Sequence, residues 1–153
     1  MTDTQSPNCA FCSIVAGESP AEVVFESANT ISFLPLNPAT YGHTLVIPKM
    51  HVRDIWEIDL NVANDVAAAT LRVAHGIRLA LKPDGLNLIN SSGAAASQTI
   101  FHLHVHLVPR WKNDRVGNIW PPDQPLPEAV REELADDMRE GIATAGQSGL
   151  PSR

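Results

Sequence analysis

The chain has 153 residues, 44 % hydrophobic and 18 % charged, a globular composition that excludes general disorder. Its net charge of −6, with no Lys/Arg cluster, excludes a non-specific nucleic-acid binder, which needs a basic footprint. A single nucleotide stays open as a substrate, because one local site can be rich in amides.

The length predicts a single domain over residues 1–153, with a core of about 9–111 and a C-terminal extension and helix over about 112–147. Residues 1–8 read as loose. No basic start followed by an apolar core precedes residue 19, so no secretory signal is predicted. The longest apolar region, residues 62–81, is broken by Asn64, Asp65, Arg72, His75 and Arg78, so no membrane span is predicted either. The expected compartment is the cytoplasm. There, Cys9 and Cys12 at Cys-x-x-Cys spacing read as a metal clip or redox pair, not a structural disulfide.

A short helical turn is predicted over Ser13–Ala16, broken by Gly17 and Pro20. Glu22–Glu26 and Thr30–Leu34 read as strands around the turn Ser27-Ala28-Asn29. Pro35, Pro38 and Gly42 mark an irregular loop before an apolar strand, Thr44–Ile47, stopped by Pro48. Asp59 can cap a helix running to about Lys82, with Val62, Val66, Ala69, Val73, Ile77 and Leu81 at helical spacing. Leu86–Ile89 reads as a buried strand, followed by a small-residue loop, Asn90–Ala96. Trp56 and Trp111 are expected to pack. Four prolines between residues 121 and 127 stiffen a connection to a last amphipathic helix, Glu128–Ala145, beyond which the end should fray. The pattern is α+β, a mainly antiparallel sheet of about five strands with one long helix and a C-terminal helix.

The stretch from Gln98 to Arg110 carries three of the six histidines within five residues. Strict alternation predicts one strand through it, with Leu103, Val105 and Leu107 in the core and His102, His104 and His106 on the opposite face. Neighbours on that face would lie roughly 6.6 Å apart. Histidine titrates near neutrality and is a poor strand-filler, so acid–base or nucleophilic chemistry and metal ligation both fit the pattern.

His102-Leu103-His104-Val105-His106-Leu107-Val108 resembles the motif of the histidine triad (HIT) family. Gly42-His43 through Pro48-Lys49-x-His51 is similar to that family's upstream histidine segment, and Cys9-Ala10-Phe11-Cys12 through Gly17-Glu18-x-Pro20 to its usual bacterial start. The resemblance implies a two-fold homodimer whose sheet continues across the interface. It also implies hydrolysis or transfer at the α-phosphorus of a nucleotide conjugate, either a purine nucleoside phosphoramidate or a dinucleoside polyphosphate.

By that resemblance His104 is the nucleophile, forming a nucleotidyl-histidine that water then cleaves. Neutral imidazole suits the step, with an unperturbed pKa of about 6.5, and its other nitrogen needs an acceptor, for which a backbone carbonyl of the same strand is expected. His106 would contact the phosphoryl oxygens. His43 would support the nucleophile from the neighbouring strand. Gln98 and Thr99 would donate to the phosphate and the leaving group, Asn90 would orient phosphate or ribose, and Phe33 and Leu36 would line the nucleoside pocket. Cys9, Cys12, His51 and His102 form a possible Cys₂His₂ set for a structural zinc; no catalytic metal or organic cofactor is implied.

Two positions depart from the family pattern. Pro35 stands where an aspartate commonly binds the ribose hydroxyls, and Ser97 where a glycine usually precedes the glutamine. Trp120-Pro121-Pro122 resembles a C-terminal Trp-Pro of one branch, at a different spacing. Two other readings stay open at this point: a non-catalytic nucleotide-binding dimer, and a metal-dependent hydrolase using His102, His104 and His106 as ligands.

Overall fold

The computed structural model describes residue 6 and residues 8–149 of the chain. The expectations for most of the first residues and for the extreme C-terminus lie outside the described residues. The elements, in order, are α1 (Ala10–Val15), β1 (Glu22–Glu26), β2 (Thr30–Leu34), β3 (Thr44–Pro48), α2 (Leu60–Leu81), β4 (Gly85–Asn90), β5 (Val105–Arg110) and α3 (Glu128–Ser148). Two compact units divide the chain at 117/118. The second contains α3, whose Val130, Leu134, Met138 and Ile142 are all exposed.

The first unit is a five-stranded sheet in the order β1-β2-β3-β5-β4, with every pairing antiparallel. β5 is inserted between β3 and β4, so the strands do not simply follow hairpin order. Alternation along the strands sends side chains to two covered faces. On one, Val46, Leu103 and Leu107 pack with Val66, Val73 and Ile77 of α2. On the other, Ile31, Phe33, Leu45 and Ile47 pack with Cys9, Phe11 and Cys12.

The long helix begins where its cap predicts. The Asp59 carboxylate accepts from the amides of Asn61 and Val62 at 2.9 and 3.0 Å, satisfying two donors that the helix itself leaves unpaired. It ends at Lys82, which turns left-handed at φ 50 ahead of Pro83.

Four expectations need correction. The first helix occupies Ala10–Val15, one turn earlier than predicted, because both cysteines are buried and carry the turn inward. β4 is an edge strand, with Leu88 55 % exposed. Trp56 is 77 % exposed, lying in the turn between Val52 and α2.

The fourth concerns the histidine stretch. Its regular strand starts only at Val105. The backbone before it is taken up otherwise: the Leu103 amide donates to the Val52 carbonyl at 2.6 Å, the His102 carbonyl accepts from the His104 ring, and the His104 carbonyl accepts from the Asn90 amide. Groups bonded in this way are not available to a strand ladder.

Candidate functional site

The three histidines do share the side of the sheet that carries α1. His106 is paired across the ladder with Leu45, whose side chain belongs to the cluster around Phe11. His102 is fully buried and His104 nearly so.

Main-chain groups set the tautomers of His104 and His43 directly, and that of His106 through His43. His104 places Nδ1 2.7 Å from the His102 carbonyl. A carbonyl only accepts, so Nδ1 carries the hydrogen and Nε2 keeps its lone pair. That Nε2 has no hydrogen-bond partner among the described residues. It is also absent from the fully buried unpaired polar atoms, which are Ser32 Oγ and Thr70 Oγ1; it therefore reaches solvent.

His43 is held in the opposite tautomer. The Ala39 amide donates to His43 Nδ1 at 3.0 Å, so the hydrogen of neutral His43 sits on Nε2. His43 Nε2 lies 2.9 Å from His106 Nδ1, which must accept. His106 then carries its own hydrogen on Nε2. The His104 and His106 ring centroids are 4.8 Å apart. A lone pair and an N–H donor therefore stand side by side. His43 bonds to His106; its hydrogen bonds do not include His104.

Burial keeps these rings neutral. It holds His106 down to about 4, with further depression from His104 and His43. His43 is lowered first by burial and then by His104. His104 is lowered by burial, against the opposing effect of its bond to the His102 carbonyl. Near pH 7 the cluster offers neutral imidazoles, one nucleophilic and one hydrogen-donating.

Beside it lies a second cluster. One ligand atom each from Cys9, Cys12, His51 and His102 falls within 4.8 Å of the other three. Nδ1 of His102 is 3.5 Å from Cys9 Sγ and 3.6 Å from Cys12 Sγ, and Nδ1 of His51 is 3.3 Å from Cys12 Sγ. Zinc bond lengths place the sulfur–nitrogen edge of a tetrahedron at about 3.5 Å. The residues fit that ion. His102 Nε2 donates to the Pro48 carbonyl at 2.8 Å, which leaves Nδ1 as the ligand atom and holds the ring in place. Neither His104 nor His106 belongs to this four-residue group.

The HIT domain model matches residues 16–113. The chain belongs to the HIT family. Among relatives of this HIT chain, the Protein hit of Bacillus subtilis is 40 % identical over 114 residues, covering 74 % of the chain and 79 % of the relative. An adenylylsulfatase of Arabidopsis thaliana is 35 % identical, covering 74 % of the chain and 57 % of the relative. A solved Streptococcus mutans protein superposes with a TM-score of 0.85 at 40 % identity, covering 93 % of the chain and 90 % of its own. A zinc-bound histidine triad family protein of Mycobacterium smegmatis gives 0.69 at 36 % identity, covering 93 % and 98 %. The HIT fold and membership of a nucleotide-binding family are thus shown.

The remaining sequence-predicted residues of the HIT chain fall in several places. Asn90 holds the main chain of His104, donating from Nδ2 at 2.9 Å, while its Oδ1 accepts from Ser92 at 3.1 Å. Gln98 is buried. Its Nε2 donates to the Arg53 and Ile100 carbonyls and its Oε1 accepts from the Gly93 amide, so it ties together the loop before the histidines. Thr99 is exposed on that loop. Phe33 is buried against Phe11, whereas Leu36 is 96 % exposed. Ser97 is left-handed at φ 66, a conformation in which glycine carries no Cβ penalty. A cleft of about 510 Å³ between α2 and the first two strands is lined by none of the triad histidines.

Sequence reasoning passed over four groups that organise the site: Phe11, the Ala39 amide, the Pro48 carbonyl and the Val52 carbonyl. Only Phe11 carried a local signal, its place between the two cysteines.

Proposed function

We propose that this HIT chain cleaves nucleoside monophosphate conjugates, phosphoramidates or dinucleoside polyphosphates, at the α-phosphorus through His104. The observation that carries the reading is the solvent-reaching Nε2 lone pair of His104 beside the N–H of His106. The lone pair of Nε2 forms a bond to phosphorus, the bond to the leaving group breaks, and the leaving group takes a proton that the exposed Thr99 hydroxyl passes on from solvent. Water then attacks the nucleotidyl-histidine, its oxygen bonding to phosphorus as the P–N bond breaks and its proton passing to solvent, which releases the nucleoside monophosphate and the neutral imidazole. The His106 N–H stabilises charge on the phosphoryl oxygens as it grows.

The adenylylsulfatase name of one relative supports a nucleotide conjugate as substrate, and a purine is the proposed base. His43 fixes the donor form of His106. Asn90 and Gln98 serve the proposed nucleotide site by holding the main chain of His104 and the loop before it, and Phe33 and Leu36 are the proposed nucleoside-lining residues. Structural zinc at Cys9, Cys12, His51 and His102 is supported by the sulfur–nitrogen distances and by the zinc-bound relative.

A homodimer belongs to the same proposal. The β4 edge is open, and a cleft of about 410 Å³ beside it is lined by Ile55, Leu88, Leu103 and Val105, which supports a sheet continued across two copies. Light scattering behind a sizing column tests it, and a monomer at high concentration would remove it.

The test of the chemistry is an acid-quenched reaction with adenosine and guanosine phosphoramidates, dinucleoside polyphosphates and adenylyl sulfate, read by intact-protein mass. The expected result is a nucleotidyl adduct that disappears in His104→Ala. No adduct and no turnover with any conjugate would overturn the reading.

A further inference from the structure

The geometry points to Phe11 as a positioning residue that couples the Cys9–Cys12–His51–His102 cluster to the His104 ring. This rests on His104 being the reactive group. Phe11 is held on both sides by the cluster, since Cys9 caps α1 and Cys12 lies in its first turn. The residue is 5 % exposed. It meets the His104 ring at 5.3 Å and 88°, the His102 ring at 5.9 Å and 69°, and Phe33 at 5.4 Å and 74°. These are edge-to-face contacts, the favoured aromatic geometry.

A half-turn of the His104 ring about χ2 would break its bond to the His102 carbonyl and move Nε2 away from its present position. The perpendicular Phe11 ring packs against His104 and opposes that turn. The His102 carbonyl supplies the second restraint, and His102 is itself a member of the cluster. Closing the cluster around an ion therefore fixes both restraints on His104, one through α1 and one through the main chain.

The test compares the zinc-loaded full chain, the chelated full chain, Phe11→Leu and the unbranched, apolar Phe11→Met. The first readout is the His104 tautomer, from two-bond nitrogen–proton spectra at a pH where the ring is neutral. The second is the rate of adduct formation, with nucleoside monophosphate affinity measured alongside.

In loaded wild type His104 should show one tautomer. Chelation and both substitutions should each give mixed or broadened His104 signals and slow adduct formation about tenfold, the scale of one lost aromatic contact, with monophosphate affinity unchanged. Chelation should add less in Phe11→Leu than in wild type, because only the main-chain restraint is then left to loosen. Unaltered His104 signals in the Phe11 variants, or in chelated wild type, would overturn the proposal. Absence of any adduct in wild type would instead remove the nucleotidyl-transfer reading, because the tautomer spectra report on Phe11 without turnover.

Discussion

His43 and His106, 63 residues apart, meet at 2.9 Å, and the direction of their hydrogen bond is decided by the amide of Ala39. That amide can only donate, so His43 must present N–H to His106, and His106 must present N–H beyond it. Replacing His43 with alanine leaves Nδ1 of His106 free to take the hydrogen. The expected effect is a fall in kcat of about 10- to 100-fold, the range of one positioned proton donor, with little change in nucleotide monophosphate affinity. Steady-state kinetics with a separate binding titration checks this. An unchanged kcat would show that the contact serves packing alone.

The same burial makes stability depend on pH. His106 titrates at about 4 in the fold, against about 6.5 in an unfolded chain. Between those values the unfolded chain binds a proton that the folded chain does not. The contribution is complete above about pH 6.5 and is lost as pH falls toward 4. Urea midpoints should drop across this window in wild type, and less steeply in His106→Asn. Parallel slopes for the two proteins would refute the assignment.

Metal content gives a third test. Protein purified without chelators should carry one zinc per chain, and Cys12→Ser should lose it. With free metal 1,000-fold above Kd, binding adds about 4 kcal/mol to stability, so chelation should lower Tm clearly in wild type and hardly at all in Cys12→Ser. Elemental analysis and thermal melts decide it; equal melts with and without chelator would exclude a stabilising ion at Cys9, Cys12, His51 and His102.

Ser97 offers a test of backbone strain. Its φ of 66 costs an L-residue roughly 1–2 kcal/mol, partly offset because glycine loses more chain entropy on folding. Ser97→Gly should therefore raise stability by about 0.5–1 kcal/mol. Denaturant unfolding measures this, and a destabilised variant would mean that the serine side chain makes a compensating contact.

Local patterning alone was enough to locate most elements. Short runs of strand-forming residues bounded by turn residues and prolines identified β1, β2 and β3, helical spacing with the Asp59 cap identified α2, and alternation set the histidine face opposite Leu103 and Leu107. These properties depend on neighbours within a few positions, where side-chain direction follows directly from strand or helix period. The Cys-x-x-Cys spacing also marked half of the metal cluster.

Tertiary structure decided the rest. It brought Cys9 to His102 across 93 residues, placed β5 between β3 and β4 so that His43 faces His106, and began the regular strand at Val105. The Ala39, Pro48, Val52 and His102 main-chain groups that fix the rings and the loop are invisible to residue type, because every residue carries the same carbonyl and all but proline the same amide. The His102 carbonyl and the Ala39 amide lie two and four residues from the rings they meet, but the meetings of Pro48 with His102 and of Val52 with Leu103 depend on long-range register, which is set by the packing of both sheet faces together.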